Sequence, residues 1–94
     1  MAGSVTIPRG GREYVTADVA GVPDDAPLEV TVDRATWLAA ERLPGKLRFL
    51  AAAPDVTGNP ANTVVVPLGR SAVHARLADN PEIVIRDVGY IDLK

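Results

Sequence analysis

Residues 13–20 read EYVTADVA and residues 28–33 read LEVTVD. In the first stretch Val15, Ala17 and Val19 alternate with Tyr14, Thr16 and Asp18; in the second Leu28, Val30 and Val32 alternate with Glu29, Thr31 and Asp33. A two-residue repeat puts every apolar side chain on one face of an extended chain, so both stretches predict strands with a single buried face. Between them GVPDDAP supplies the Gly, Pro and Asp of a turn, which makes the pair a hairpin or a sheet-to-sheet connection.

The same period runs through the rest of the chain. KLRFLAAA sets Leu47, Phe49 and Ala51 against Lys46, Arg48 and Leu50, and the turn-forming PDVTGNPAN follows it as a long loop. TVVVPL is β-branched and almost wholly apolar, as in a strand covered on both faces, with Pro67 favouring an edge or a strand end. AVHARL places Val73, Ala75 and Leu77 on one face and His74 and Arg76 on the other. EIVIRD and GYIDL close the chain, with a bulge or strand switch expected at Val88 and Gly89 and a tight reversal expected at Asn80 and Pro81. About six or seven short strands, with turn signals every 8–15 residues or so, predict an all-β fold, a small antiparallel Ig-like β-sandwich.

One segment breaks the period. In RATWLAAER, Ala35, Leu38 and Ala39 fall on one helical face, Asp33 stands where a cap would, and LPG follows as a stop. At most one short helix, or an irregular crossover, is expected there. Trp37 within it reads as a core or core-rim residue, with an interface anchor as the alternative. At the other end Gly3, Ser4, Pro8, Gly10 and Gly11 make residues 1–12 a poor candidate for core. They are expected to form a flexible arm ahead of a single domain at 13–94, with Val5 and Ile7 either fraying, lying at the domain's own edge or adding a strand to a neighbouring subunit. On the arm reading, deleting residues 1–12 leaves the fold intact and abolishes assembly.

Ninety-four residues carry one core, and a chain this short leaves a thin stability margin that subunit contacts would widen. An apolar fraction of 47% beside 23% charged residues is that of a folding chain and not of a disordered tail. The absence of cysteine excludes a disulfide framework and a thiolate metal site, consistent with a reducing cytoplasm. No run is long and apolar enough for a membrane span, and the N-terminus lacks the apolar centre of a signal peptide. Twelve acids and ten bases spread along the chain give a net charge of −2, so no broad basic face is expected and nucleic acid is not the favoured partner.

Catalysis has little to work with. His74 is the one histidine and there is no cysteine, so neither a multi-histidine metal site nor a thiol nucleophile can be assembled within one chain. A Ser–His–Asp arrangement through Ser4 or Ser71 finds His74 on a strand beside Arg76, where a surface or interface role is the simpler reading. Asp24 and Asp25 sit in a Pro-flanked turn and are read as backbone-bonding residues. Asp55, Thr57 and Asn59 offer oxygens without the spacing of a calcium loop. RGGR has neither the Lys-Ser/Thr nor the strand-to-helix setting of a phosphate loop, and its two arginines would meet an acidic partner or solvent. No catalytic, metal or cofactor site is expected. The residues expected to make protein contacts are Val5, Ile7, Arg9, Arg12, His74 and Arg76.

The succession of a Gly turn at Gly69, an alternating strand, DNPE and then IVIRDVGYIDL resembles the end of small β-sandwich proteins encoded by tailed phages of actinobacteria, the LtfC-like domain family. There a Gly turn leads into a strand of the V-x-V-R-V type, then DNPE, a Val-Arg-rich strand and a Gly before the last strand. The resemblance covers residues 69–93, with a weaker echo in REYV at 12–15. It departs at His74, where a larger apolar or aromatic residue would be usual, and in TWLAAERLPG. It implies a virion structural protein assembled in the host cytoplasm, a minor tail or tail-fibre component in contact with other virion proteins. The alternative within that class is a head-to-tail connector or capsid decoration protein. A small enzyme or carbohydrate-binding module, which needs an aromatic-lined site, and a nucleic-acid binder, which binds salt-dependently, are the rivals from other classes.

Overall fold

A computed structural model of the chain describes residues 3–19, 23, 25–77 and 85–94. Among them are eight strands and no helix: β1 (Gly3–Ile7), β2 (Arg12–Asp18), β3 (Leu28–Thr31), β4 (Leu38–Leu43), β5 (Lys46–Ala52), β6 (Val64–Val65), β7 (Gly69–Leu77) and β8 (Ile85–Leu93). They join in the order β1-β8-β7-β3-β4-β5-β2, with β6 alongside β5.

β4 turns this run into two layers. Its first half, Leu38 to Ala40, pairs with β3, while its second half, Glu41 to Leu43, pairs with β5. Once β4 has left, the same side of β5 is taken over by β6, parallel to it at Ala51 and Ala52. The two layers face each other across one core: Val30, Val73, Ala75 and Ile91 come from one, and Val15, Leu47, Phe49 and Ala51 from the other. The turn after β1 brings β2 back beside it, so the sandwich is nearly closed as a barrel. In that turn the Gly11 amide donates to the Pro8 carbonyl, and a Cβ on Gly11 would lie 2.8 Å from the same oxygen, which is why a residue without a side chain stands there.

The all-β class and the inward faces read from alternation hold for β2, β3 and β5. Other expectations need correction. The 33–45 segment is not helical: Asp33 bonds the amides of Ala35 and Thr36 as a cap would, but the chain then extends into β4 and reverses through Pro44 and Gly45 (φ 68°) into β5. Pro and a positive-φ Gly in succession suit the two central positions of a tight turn, so LPG is a hairpin and not a helix stop. Trp37 stays half-buried, outside the core cluster.

Residues 1–12 are not a free arm with a boundary at 13. β1 lies parallel on β8, Val5 packs against the core and Ile7 is completely buried within it. The sheet is therefore not purely antiparallel, since β1 and β6 both pair in parallel. β6 has one covered face: Val64 and Val66 are buried and Val65 is 52% exposed. The two C-terminal runs are one strand, β8, in which Val73 pairs with Gly89 and His74 with Asp87, leaving Val88 as the extra residue of a β-bulge. Val88 is buried, and the β7–β8 pairing continues on both sides of the bulge. The expected reversal at Asn80 and Pro81 lies outside the described residues.

Candidate interaction surface

Among the described residues the outward faces carry three clusters of one design. On the β2–β5 layer Tyr14 lies opposite Leu50 and Thr16 opposite Arg48, with Glu41 facing Arg48 from the far side. Arg48 Nε donates to Glu41 Oε2 at 2.7 Å while its guanidinium sits 4.9 Å from the Tyr14 ring centre. On the other layer Arg70 pairs in register with Asp92 and holds it through two bonds of 2.8 and 2.9 Å, its guanidinium 5.1 Å from the Tyr90 ring. Arg76 donates to Glu29 across the β3–β7 ladder at 2.9 Å and lies 4.2 Å from the Trp37 ring. Each guanidinium is thus fixed by a cross-strand carboxylate and laid over an aromatic face, where the ring's negative quadrupole attracts it. Arg, Tyr and Trp are the side chains most enriched at the energetic centres of protein interfaces.

The Trp37 cluster is held by a loop wound on itself. Thr31 Oγ1 donates to Asp33 Oδ1 at 2.9 Å and accepts the amide of Arg34 at 3.0 Å, which steadies Arg34 in the left-handed region (φ 61°). The amides of Thr36 and Ala35, then the Thr31 hydroxyl, hold the Asp33 carboxyl below the ordinary carboxylate range. The bond from Arg70 likewise lowers Asp92, and the bond and charge of Lys46 lower Asp18. A depressed folded-state pKa contributes stability above the unfolded pKa and loses it as pH falls through the folded one. Asp33→Asn is therefore expected to melt below the parent at neutral pH, with the gap narrowing in acid as the parent's own carboxyl becomes neutral. Thermal midpoints across a pH series check this; a gap unchanged in strong acid would mean that charge on Asp33 does not matter.

The residues expected to make contacts do not form one surface. Val5 and Ile7 serve this chain's own sheet and core. Arg9 is exposed, and its amide donates to the Lys94 carbonyl at the end of the β1–β8 pairing. Arg12 Nη1 donates to Asn59 Oδ1 at 3.1 Å, which ties β2 to the long loop. His74, expected on the surface, is buried at 9% exposure, in register with Thr31 on β3 and Asp87 on β8. Arg76 is the member that belongs to an outward cluster. What the reading missed is the exposed apolar set: Tyr14 at 64%, Val65 at 52% and Leu68 at 60%. Tyr14 sits one row from Val65 on the outer face of β2, β5 and β6, because Ala52 is opposite both Arg12 and Val65 while Leu50 is opposite Tyr14. Tyr14's outward position was legible from its place in the alternation of β2.

Among the described residues no group of three His, Cys, Asp or Glu side chains is placed to hold a metal ion. Comparison with protein-family models, with curated proteins and with solved structures finds no match in any of the three.

Proposed function

We propose that the chain is a structural component of a bacteriophage particle, a minor tail or tail-fibre-associated protein that acts through contacts with other virion proteins and not through catalysis. The observation that carries this reading is the resemblance of residues 69–93, the stretch that supplies β7 and β8, to the phage LtfC-like family. The outward Arg–aromatic–carboxylate clusters support a contact role, because they present preordered side chains of the kind that anchor interfaces. The exposed Tyr14 and Val65 add apolar area to one of those faces.

Gold-labelled antibody on purified particles, viewed by electron microscopy and paired with mass spectrometry of the same particles, tests the proposal. Label at the tail or its tip supports it. Label at the neck or over the capsid moves the protein to a connector or decoration role, and its absence from the particles overturns the structural reading altogether.

A further inference from the structure

The outer face of β2, β5 and β6 holds an apolar patch beside one arginine. Across it Arg12, Ala52 and Val65 form one row of the register, and Tyr14 and Leu50 form the next. With strands about 5 Å apart and same-face rows about 7 Å apart, the Cα atoms of Arg12, Tyr14, Leu50 and Val65 fall within about 12 Å of one another. Arg12, Tyr14 and Val65 are exposed and Leu50 is half-exposed. Ala52 is completely buried yet stands outside the core cluster, so it forms the floor of the patch from this side.

The other cations on the strands of this face are neutralised within it. Arg48 is bound by Glu41, and Lys46 by Asp18. Arg12 differs: its Nη1 donates to the neutral Asn59 side chain and, at 3.4 Å, to the Gly58 carbonyl, and among the described residues no carboxylate is paired with it. The loop thus steadies the guanidinium beside the patch while engaging only one of its nitrogens. A Tyr and two aliphatic side chains bordered by an unneutralised positive charge are matched by a surface that brings apolar cover and a negative charge together.

We infer that this face docks an extended segment of another protein in which an Asp or Glu lies about three residues from an apolar side chain. The carboxylate takes the open side of the Arg12 guanidinium, whose planar fork matches two carboxylate oxygens, and the apolar side chain packs among Tyr14, Leu50 and Val65. About 10 Å separates Arg12 from Val65 across the row, the span of about three residues of extended chain. A second copy of this chain does not fit. The outward acids on the strands of this face, Asp18 and Glu41, are already held by Lys46 and Arg48, so face-to-face pairing would leave Arg12 without a carboxylate or break an existing pair. A phosphate backbone does not fit either, since one unpaired arginine meets a single charge and the rest of the patch is apolar. This docking rests on the contact role proposed above and adds the chemistry of the partner.

Particles assembled with the photo-crosslinking residue p-benzoylphenylalanine in place of Val65, then irradiated and analysed by peptide mass spectrometry, test it. A crosslink to another virion protein is expected, within about three or four residues of an Asp or Glu. That segment, made as a labelled peptide, is next titrated against the free protein by fluorescence anisotropy. Arg12→Gln, and the amide in place of the peptide's acid, are each expected to weaken binding about tenfold, and the two together no more than either alone. Should the chain altered at Val65 be shut out of the particles, Thr16, exposed on the rim of the same face, carries the photo-crosslinking group instead. Absence of the parent chain from the particles removes the virion role and this docking with it. With the parent present, the docking alone is overturned by no crosslink from either position, by a crosslinked segment without a nearby carboxylate, by a crosslink to a second copy, or by peptide affinity indifferent to Arg12.

Discussion

Deletion of residues 1–12 is expected to unfold the protein. The deletion removes the whole of β1, strips the outer side of the β8 ladder from Gly89 to Leu93 and takes Ile7 out of the core. Losing a fully buried aliphatic side chain costs about 2–5 kcal/mol once the cavity it leaves is included. The partly buried Val5 and the unpaired amides of β8 add to that loss. A domain of this length has a total stability of about 5–14 kcal/mol, so the combined loss is of the order of the whole. Far-ultraviolet circular dichroism during a thermal melt should show no cooperative transition for the truncated chain. A cooperative melt close to that of the full chain would mean that β1 is an accessory, as its composition suggested. Ile7→Ala gives the graded form of the same result, a folded protein that melts earlier.

β1 was hard to read for a physical reason. A strand of five residues offers too few repeats to separate a period of two from chance, and its Gly and Pro neighbours look like loop. What makes it a strand is its partner, β8, which lies at the far end of the chain. No local property encodes that pairing. The 33–45 segment failed for the opposite reason, an excess of local signal. Leu38, Ala39, Ala40, Glu41 and Arg42 are all good helix formers, and Asp33 bonds the amides that a helix cap would bond. β3 and β5 both lacked a neighbour on the same side, and filling both with β4 outweighed a propensity worth tenths of a kcal/mol per residue. Alternation was dependable where a strand had one face on the core and one in solvent, as in β2 and β5.

The surface was less legible than the core. Tyr14 and Arg76 could be placed outward by counting, yet nothing in the order of residues said that Arg48 would reach both Tyr14 and Glu41, or Arg76 both Trp37 and Glu29. Those meetings depend on cross-strand register, which one slip of a residue would reverse. His74 shows the limit most clearly. Its position in the alternation is outward, and it is nonetheless buried, beside the Val88 bulge in the neighbouring strand. Alternation assigns a face, but it does not say whether that face is covered.

Two leucines three residues apart on β5 turn this distinction into a measurement. Leu47 is completely buried, in register with Ala17 on β2 and Arg42 on β4, and it is among the largest fully enclosed side chains. Leu50 belongs to the outer face, opposite Tyr14, and keeps partial exposure. Leu47→Ala removes three heavy atoms where neither layer can close over the gap without moving strands paired on both sides, so a loss of about 3–5 kcal/mol is expected, in the upper part of the range for such changes. Leu50→Ala removes the same atoms from a site that water and the Tyr14 ring can refill, and is expected to cost about 1 kcal/mol or less. In urea, where a small domain loses about 1 kcal/mol per molar denaturant, the two midpoints should separate by about 2–4 M. Equal losses would mean that the outer face of β5 is covered as fully as the inner one. A larger loss for Leu50 would place β5 in the opposite register, and Tyr14, Arg48 and Glu41 would then point inward, dismantling the outward cluster on which a contact role for this face depends.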